Sequence, residues 1–163
     1  MKKLILGLAF ALFSFGAHAE LFESGQGHLC SKGTKELSGA KELIAHTSAS
    51  RYKERLVASS FSEARSMVYH WVVNIETGTW SVVRETPTGL ACLTDVGTRW
   101  TRDGNTVIAI LDPNAMLLKI TITETGEWIV SVRADPESPL QIGVDGGSQW
   151  EWVAVPGPAG LRI

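Results

Sequence analysis

After residue 19 the groups that could do chemistry are three histidines, two cysteines and a scatter of carboxylates, and their spacing excludes more than it offers. His28, His46 and His70 form no HxH or HExxH pair, and Cys30 and Cys92 form no CxxC. The spacings that hold zinc are therefore absent, and neither a metal nor another cofactor is expected. There is no phosphate-binding loop, no dinucleotide fingerprint and no GxSxG elbow to hold a serine on a sharp turn. Glu54, Glu76, Asp95 and Glu124 are dispersed, and paired carboxylates for sugar cleavage need a separation in space that spacing along the chain does not supply. The reading is of a protein that is not an enzyme.

The residues that stand out belong to one strand pair. A three-residue loop at Glu76-Thr77-Gly78 sets His70 opposite Arg84 and Asn74 opposite Trp80, with Trp71 on the other face. The matching positions of a second strand pair are Leu118, Val132, Ile122 and Trp128, which read as plain core. Polar groups in place of apolar ones imply either partly exposed, hydrogen-bonded side chains or a small groove for an anion or a partner. Arginine is suited to carboxylates and phosphates. His70, Arg84, Asn74 and Trp71 are accordingly the binding candidates. Six tryptophans invite stacking on sugars. Trp80 and Trp128 sit beside equivalent turns, however, and Trp100 and Trp150 at equivalent strand ends, so packing is their expected role; Trp71 and Trp152 are more available for contact.

These residues need strands to position them, and from about residue 66 the chain is written in period two. Glu76-Thr77-Gly78-Thr79-Trp80 and Glu124-Thr125-Gly126-Glu127-Trp128 share a signature, each flanked by β-branched runs and followed by a Pro turn, a strand, a Gly-containing turn and a tryptophan. The same order of parts twice points to an internal duplication, with units of about 54–102 and 106–152. Each Glu-Thr-Gly reads as a type I turn closed by a left-handed glycine. In the second unit this pairs Met116 with Ala134, Leu118 with Val132, Ile120 with Val130 and Ile122 with Trp128, an apolar face backed by a mostly polar one. The first hairpin is apolar on both faces and so expected under cover, the segment before it being the natural lid. That segment, Gly33–Lys53, has helical spacing at Leu37, Ala40, Leu43 and Ile44, with Thr34 placed to cap; Gly39 interrupts it. Glu54–Ser59 reads as a short strand, and Ser60-Phe61-Ser62-Glu63 matches a capping box with little room for its helix. The fold expected is α+β, mostly β: a short helical segment, then about eight antiparallel strands whose closure (sandwich, barrel or helix-covered sheet) stays open.

Residues 1–19 read as a signal peptide: Lys2 and Lys3, an apolar Leu4–Phe15 too short to span a bilayer, and Ala17-His18-Ala19 before the cut. A single β-rich domain is expected over 20–155 and a flexible tail over 156–163. Without the two lysines, 13 basic residues face 17 acidic ones, a formal charge of −4. With no basic block, nucleic acid and anionic membrane are poor partners, and no membrane span is expected once the leader is gone. In the oxidising compartment such a leader implies, Cys30 and Cys92 have one intramolecular pairing, and Cys92 lies in an apolar run that gives a thiol no activating base.

From Tyr52 to Trp100 the chain resembles a group of small, uncharacterised exported proteobacterial proteins. Their pattern appears here as Tyr52-Lys53-Glu54, Glu76–Trp80, Pro87-Thr88-Gly89, Cys92 and Gly97–Trp100, with Cys30 upstream. The group usually has Gly where Ser60 stands and Asp-Gly in place of Ala64-Arg65. The resemblance implies export and a β fold and brings no catalytic residue with it. The functional expectation is a periplasmic or secreted, non-enzymatic domain that binds a protein or a cell-envelope component. The alternatives are a periplasmic inhibitor of a lysozyme-type hydrolase and a small cell-envelope hydrolase; ligand and oligomeric state stay open.

Overall fold

Each period-two run becomes a strand, and the strands follow one another as a meander that closes on itself. The computed structural model describes residues 21–154; the leader expected over 1–19 and the tail expected over 156–163 lie outside the described residues. In chain order the elements are β1 (Leu21–Glu23), β2 (Leu29–Ser31), α1 (Gly39–Ala49), β3 (Arg55–Ser62), β4 (Met67–Val73), β5 (Trp80–Glu85), β6 (Ala91–Asp103), β7 (Thr106–Leu111), β8 (Met116–Ile122), β9 (Trp128–Arg133) and β10 (Gln141–Trp152). From β3 to β10 every strand pairs with the next, and β10 returns to β3 through Ser148–Phe61 and Trp152–Ala58. The result is an eight-stranded antiparallel barrel, which satisfies the backbone of strands that would otherwise be edges. The expected mostly-β architecture is present, with two further short strands ahead of it. Among the described residues no helix is long and apolar enough to cross a membrane.

The same corner is built twice, from the residues of the repeated signature. Trp80 pairs with Gly97 and Trp128 with Gly147. Neither glycine has room for a side chain: a Cβ at Gly97 would come within 2.6 Å of the Trp80 ring, and one at Gly147 within 2.8 Å of the Ser62 Cα. The Trp80 Nε1 donates to Thr98 O and Ile110 O, both at 3.1 Å; the Trp128 Nε1 donates to Phe61 O at 3.1 Å and Ser148 O at 3.2 Å. At each site the long strand bulges, around Arg99 and Gln149, both left-handed at φ 56°. The next tryptophan closes the knot: Trp100 N donates to Gly78 O at 3.0 Å and Trp150 N to Gly126 O at 2.9 Å. Thus ETGxW and GxxW form a single device that bends β6 and β10 round the barrel corner.

Behind these corners the barrel is filled by aromatic rings. Trp71 sits at the centre, its ring 5.4 Å from Trp150, 5.9 Å from Trp100 and 6.1 Å from Trp128. Trp71 is only 3% exposed: it is buried inside the barrel rather than presented on the outer surface. Its Nε1 donates to Ser60 Oγ at 3.2 Å, and it points inward because its strand's register differs from the one anticipated. Trp152 packs edge-on against Trp150 and is capped by Arg102, whose Cζ lies 3.6 Å from the ring centre.

The second hairpin has the predicted register, Ile122–Trp128, Ile120–Val130 and Leu118–Val132, its loop closed by Gly126 at φ 84°. The first does not. There Asn74 N donates to Thr79 O and Gly78 N to Asn74 O, so the loop has one residue more, Ile75. The Asn74 Oδ1 supports it by accepting from Glu76 N at 3.0 Å. Trp80 therefore faces Val73 rather than Asn74, and Arg84 faces Tyr69 rather than His70. Because side chains alternate, a one-residue slip turns the whole strand over.

On the outside, α1 lays Ala40 and Leu43 against Val83 and Ala91, the cover expected for this hairpin. The helix is shorter than Gly33–Lys53 and starts later. Ser38 caps it through Oγ to Lys41 N at 3.3 Å, while the Thr34 Oγ1 is spent on a local turn, accepting from Leu37 N at 3.0 Å. Gly39 serves contact: a Cβ there would meet Gly89 O at 2.9 Å. Ser60–Glu63 starts no helix; Ser60 to Ser62 belong to β3, which runs past the expected end at Ser59. Cys30 and Cys92 are disulfide-bonded at facing positions of β2 and β6. β2 thereby covers the start of β6. The matching start of β10 has β9 on one side only, since β3 joins at Ser148, and Ile142 there is 75% exposed.

Candidate functional site

Four turns, after β3, β5, β7 and β9, ring one end of the barrel, and the corrected register aims Arg84 inward at this end. Beneath it is a cavity of about 220 Å³. Tyr69, Trp71 and Trp80 form one wall and Leu118, Val130 and Val132 the other. The strand register explains this two-faced lining. Counting back from Trp80 and Trp128, Tyr69 and Arg84 occupy the positions held by Leu118 and Val132 in the other half. One scaffold position is thus aromatic or cationic on one wall and aliphatic on the other.

A chain of polar contacts spans the mouth. The Arg84 Nη2 donates to Asp95 Oδ2 at 2.7 Å, and the guanidinium lies over Tyr69, its Cζ 4.9 Å from the ring centre. The Tyr69 hydroxyl donates to Asp145 Oδ2 at 2.7 Å. Burial first, and that bond second, raise the Tyr69 pKa, so the phenol remains a donor at neutral pH. Asp145 also accepts from Arg65 Nε at 3.1 Å, Ser62 Oγ at 3.2 Å and its neighbour Gly146 N at 2.8 Å. Four donors saturate that carboxylate. Asp95 and Asp145 are the same position in the two halves, each two residues before the corner glycine. In contrast, the Arg84 Nε is buried and has no hydrogen-bond partner.

Outside the cavity a wider vestibule of about 590 Å³ shares Arg65, Arg84 and Asp95 with it and is walled by Ser24, His28 and Cys92. The disulfide therefore fixes the outer wall. At the rim Arg65 is exposed over 48% of its side chain, so the mouth opens to solvent.

Of the candidates from sequence, Arg84 and Trp71 meet at this cavity, while His70 and Asn74 do not. Asn74 lies in the turn at the other end, about 17 Å from Tyr69 along β4 at roughly 3.4 Å per residue, where its Nδ2 donates to Tyr52 O at 2.7 Å. His70 is on the outer face, its Nδ1 3.1 Å from Ser59 Oγ and its Nε2 3.1 Å from Glu85 Oε2. Ser59, His70 and Glu85 are thus linked across three strands in the order a nucleophile, base and carboxylate would take. They lie on the outer face of the sheet, where the amides of β3, β4 and β5 serve the strand ladders. Sequence reasoning missed Tyr69, Asp145 and Arg65; the signal for Asp145 was present in its match to Asp95, ahead of Gly147 and Gly97.

A second buried carboxyl lies in a groove between the end of α1 and β5. Glu54 is 3% exposed, accepts from Ser81 Oγ at 2.7 Å, and its pKa is raised by burial. Thr79 and Ser81 line the same groove beside it, and Glu54 ties the end of the helix to the barrel.

Comparison with family models, with curated proteins and with solved structures finds no match for this chain.

Proposed function

We propose that this is an exported, non-enzymatic binding domain that holds a small cell-envelope component in the mouth of its barrel. The observation that carries the reading is the cavity itself: aromatic on one wall, aliphatic on the other, open at a polar rim. Tyr69, Arg84 and Asp95 pre-organise that rim, so little ordering would oppose binding. The disulfide suits an oxidising compartment and so supports export. The paired corners at Trp80–Gly97 and Trp128–Gly147 support descent of the two halves from one duplicated unit, in which the copies have since diverged at the lining. The test is native mass spectrometry of protein purified without denaturation, wild type beside a cavity-filled Val132→Trp variant. Retention of a small molecule by the wild type alone is expected. Equal spectra from two folded proteins, with no captured mass, would overturn the reading.

The Ser59–His70–Glu85 contacts favour one second reading, a small envelope hydrolase. A fluorophosphonate probe separates the two: labelling of Ser59 that His70→Ala abolishes would support the hydrolase, and no labelling is expected here.

A further inference from the structure

We infer that the groove between the end of α1 and β5 is a second binding site, which takes a small organic ammonium ion with a short apolar body and sets its charge on Glu54. The groove lies outside the barrel, so the inference stands apart from the reading of the mouth. Sign selects the cation. Among the described residues the lining carries two carboxylates, Glu54 and Asp112, and its only basic side chain is His46. Arg51, Lys53 and Arg55, the cations beside Glu54 along the chain, are not in that lining; Arg51 is held on the Tyr52 ring and donates to its hydroxyl at 2.7 Å. α1 adds to the same sign, since Thr47 and Ser50 bring its C-terminus, the negative pole of the helix, to the groove.

The fold does not account for the charge. Ser81 Oγ donates to Glu54 Oε2 at 2.7 Å, and the carbonyl oxygen of a glutamine would accept that bond as well. The tie to the helix runs through the Glu54 backbone carbonyl, which accepts from Ser48 Oγ at 2.7 Å and is indifferent to the side chain. Burying a carboxylate meanwhile costs free energy, and Glu54 is 3% exposed. A charge retained where the fold would gain by its loss points to a partner of opposite sign. Oε1 is left to Thr79 and the groove. The apolar body follows from Leu29, Leu93 and Val96 on the wall and from a volume of about 260 Å³; an apolar cavity of ~150 Å³ already accepts benzene. A metal ion fits worse. Ca²⁺ and Mg²⁺ take about six oxygens or more, and among the described residues no three His, Cys, Asp or Glu side chains converge.

The probes are butylammonium, butanol and butyrate at neutral pH, titrated against the NMR amide shifts of Thr79, Ser81 and Val96, which line the groove. Butylammonium should bind about tenfold or more tightly than butanol, and butyrate weakest of all. Glu54→Gln should bring butylammonium down to the affinity of butanol and leave butanol unchanged. Asp112→Asn, at an exposed position, should weaken butylammonium alone by about threefold, and serves where the glutamine variant does not fold. Val132→Trp, which fills the barrel, should change none of these values. Equal affinity for butylammonium and butanol overturns the inference, as does a preference that survives Glu54→Gln in a folded protein. Shifts centred on Tyr69 and Arg84 that Val132→Trp abolishes overturn it too, while the reading of the mouth stands. No response to any of the three probes overturns it as well.

Discussion

At the residue scale the molecule turns on which groups were left with a partner. Tyr69 holds Asp145 against the barrel wall, and Tyr69→Phe removes one of four donors from a largely buried carboxylate. The expected loss is about 1–3 kcal/mol in a denaturant titration. Glu54 makes a different prediction. Its folded pKa lies above the ordinary 4.5, so below that pH both states carry the proton and burial brings no charge penalty. As pH rises through 4.5 the unfolded chain ionises first, and stability falls until the folded carboxyl ionises as well. Glu54→Gln should flatten that decline, with its largest gain near neutrality, as denaturant midpoints at a series of pH values would show. A gain that does not change with pH would contradict the assignment. Arg84 was legible from the sequence as a polar intruder among core positions. Its true partner was not, because Tyr69 and His70 are adjacent and only the loop length decides between them.

Elements explain why. The second hairpin could be read pair by pair, since a three-residue loop and apolar alternation agree there. In the first, the repeated Glu-Thr-Gly-Thr-Trp hid an extra residue, Ile75, and both strand faces were apolar enough to accept either register. Deleting Ile75 leaves Asn74-Glu76-Thr77-Gly78-Thr79, the three-residue loop of the second hairpin, and keeps Val73 opposite Trp80; the variant should retain its cooperative unfolding transition and near-ultraviolet dichroism. The corner glycines are equally strict: Gly97→Ala sets a methyl against Ile110 O and the Trp80 ring, and loss of more than about 2 kcal/mol is expected by thermal or chemical unfolding. The helix was visible through Leu43 and Ala40, although its start was misplaced, because Thr34 and Ser38 are both plausible caps and only packing of Gly39 on β2 separates them.

For the whole molecule, closure was the part no local pattern carried. The pairing of β10 with β3 joins residues about 90 apart and is set by where the corners turn each strand, not by any turn between them. The disulfide could be read from the cysteine count and the compartment the expected leader implies. Because it closes a separation of 62 residues, its removal in Cys30→Ser/Cys92→Ser should cost about 4 kcal/mol by the chain-entropy argument, measured as a shift in denaturant midpoint. The barrel should still form, since β2 and Cys30 stand outside it.

β2 also has no counterpart in the other half, and that asymmetry has a price in solubility. The lip of β10 offers unclaimed amides and carbonyls beside a bare isoleucine at 142, which makes it the place where a neighbouring chain would begin to add as a cross-β template. Ile142→Lys should slow seeded fibril growth, followed by thioflavin fluorescence, without moving the melting temperature.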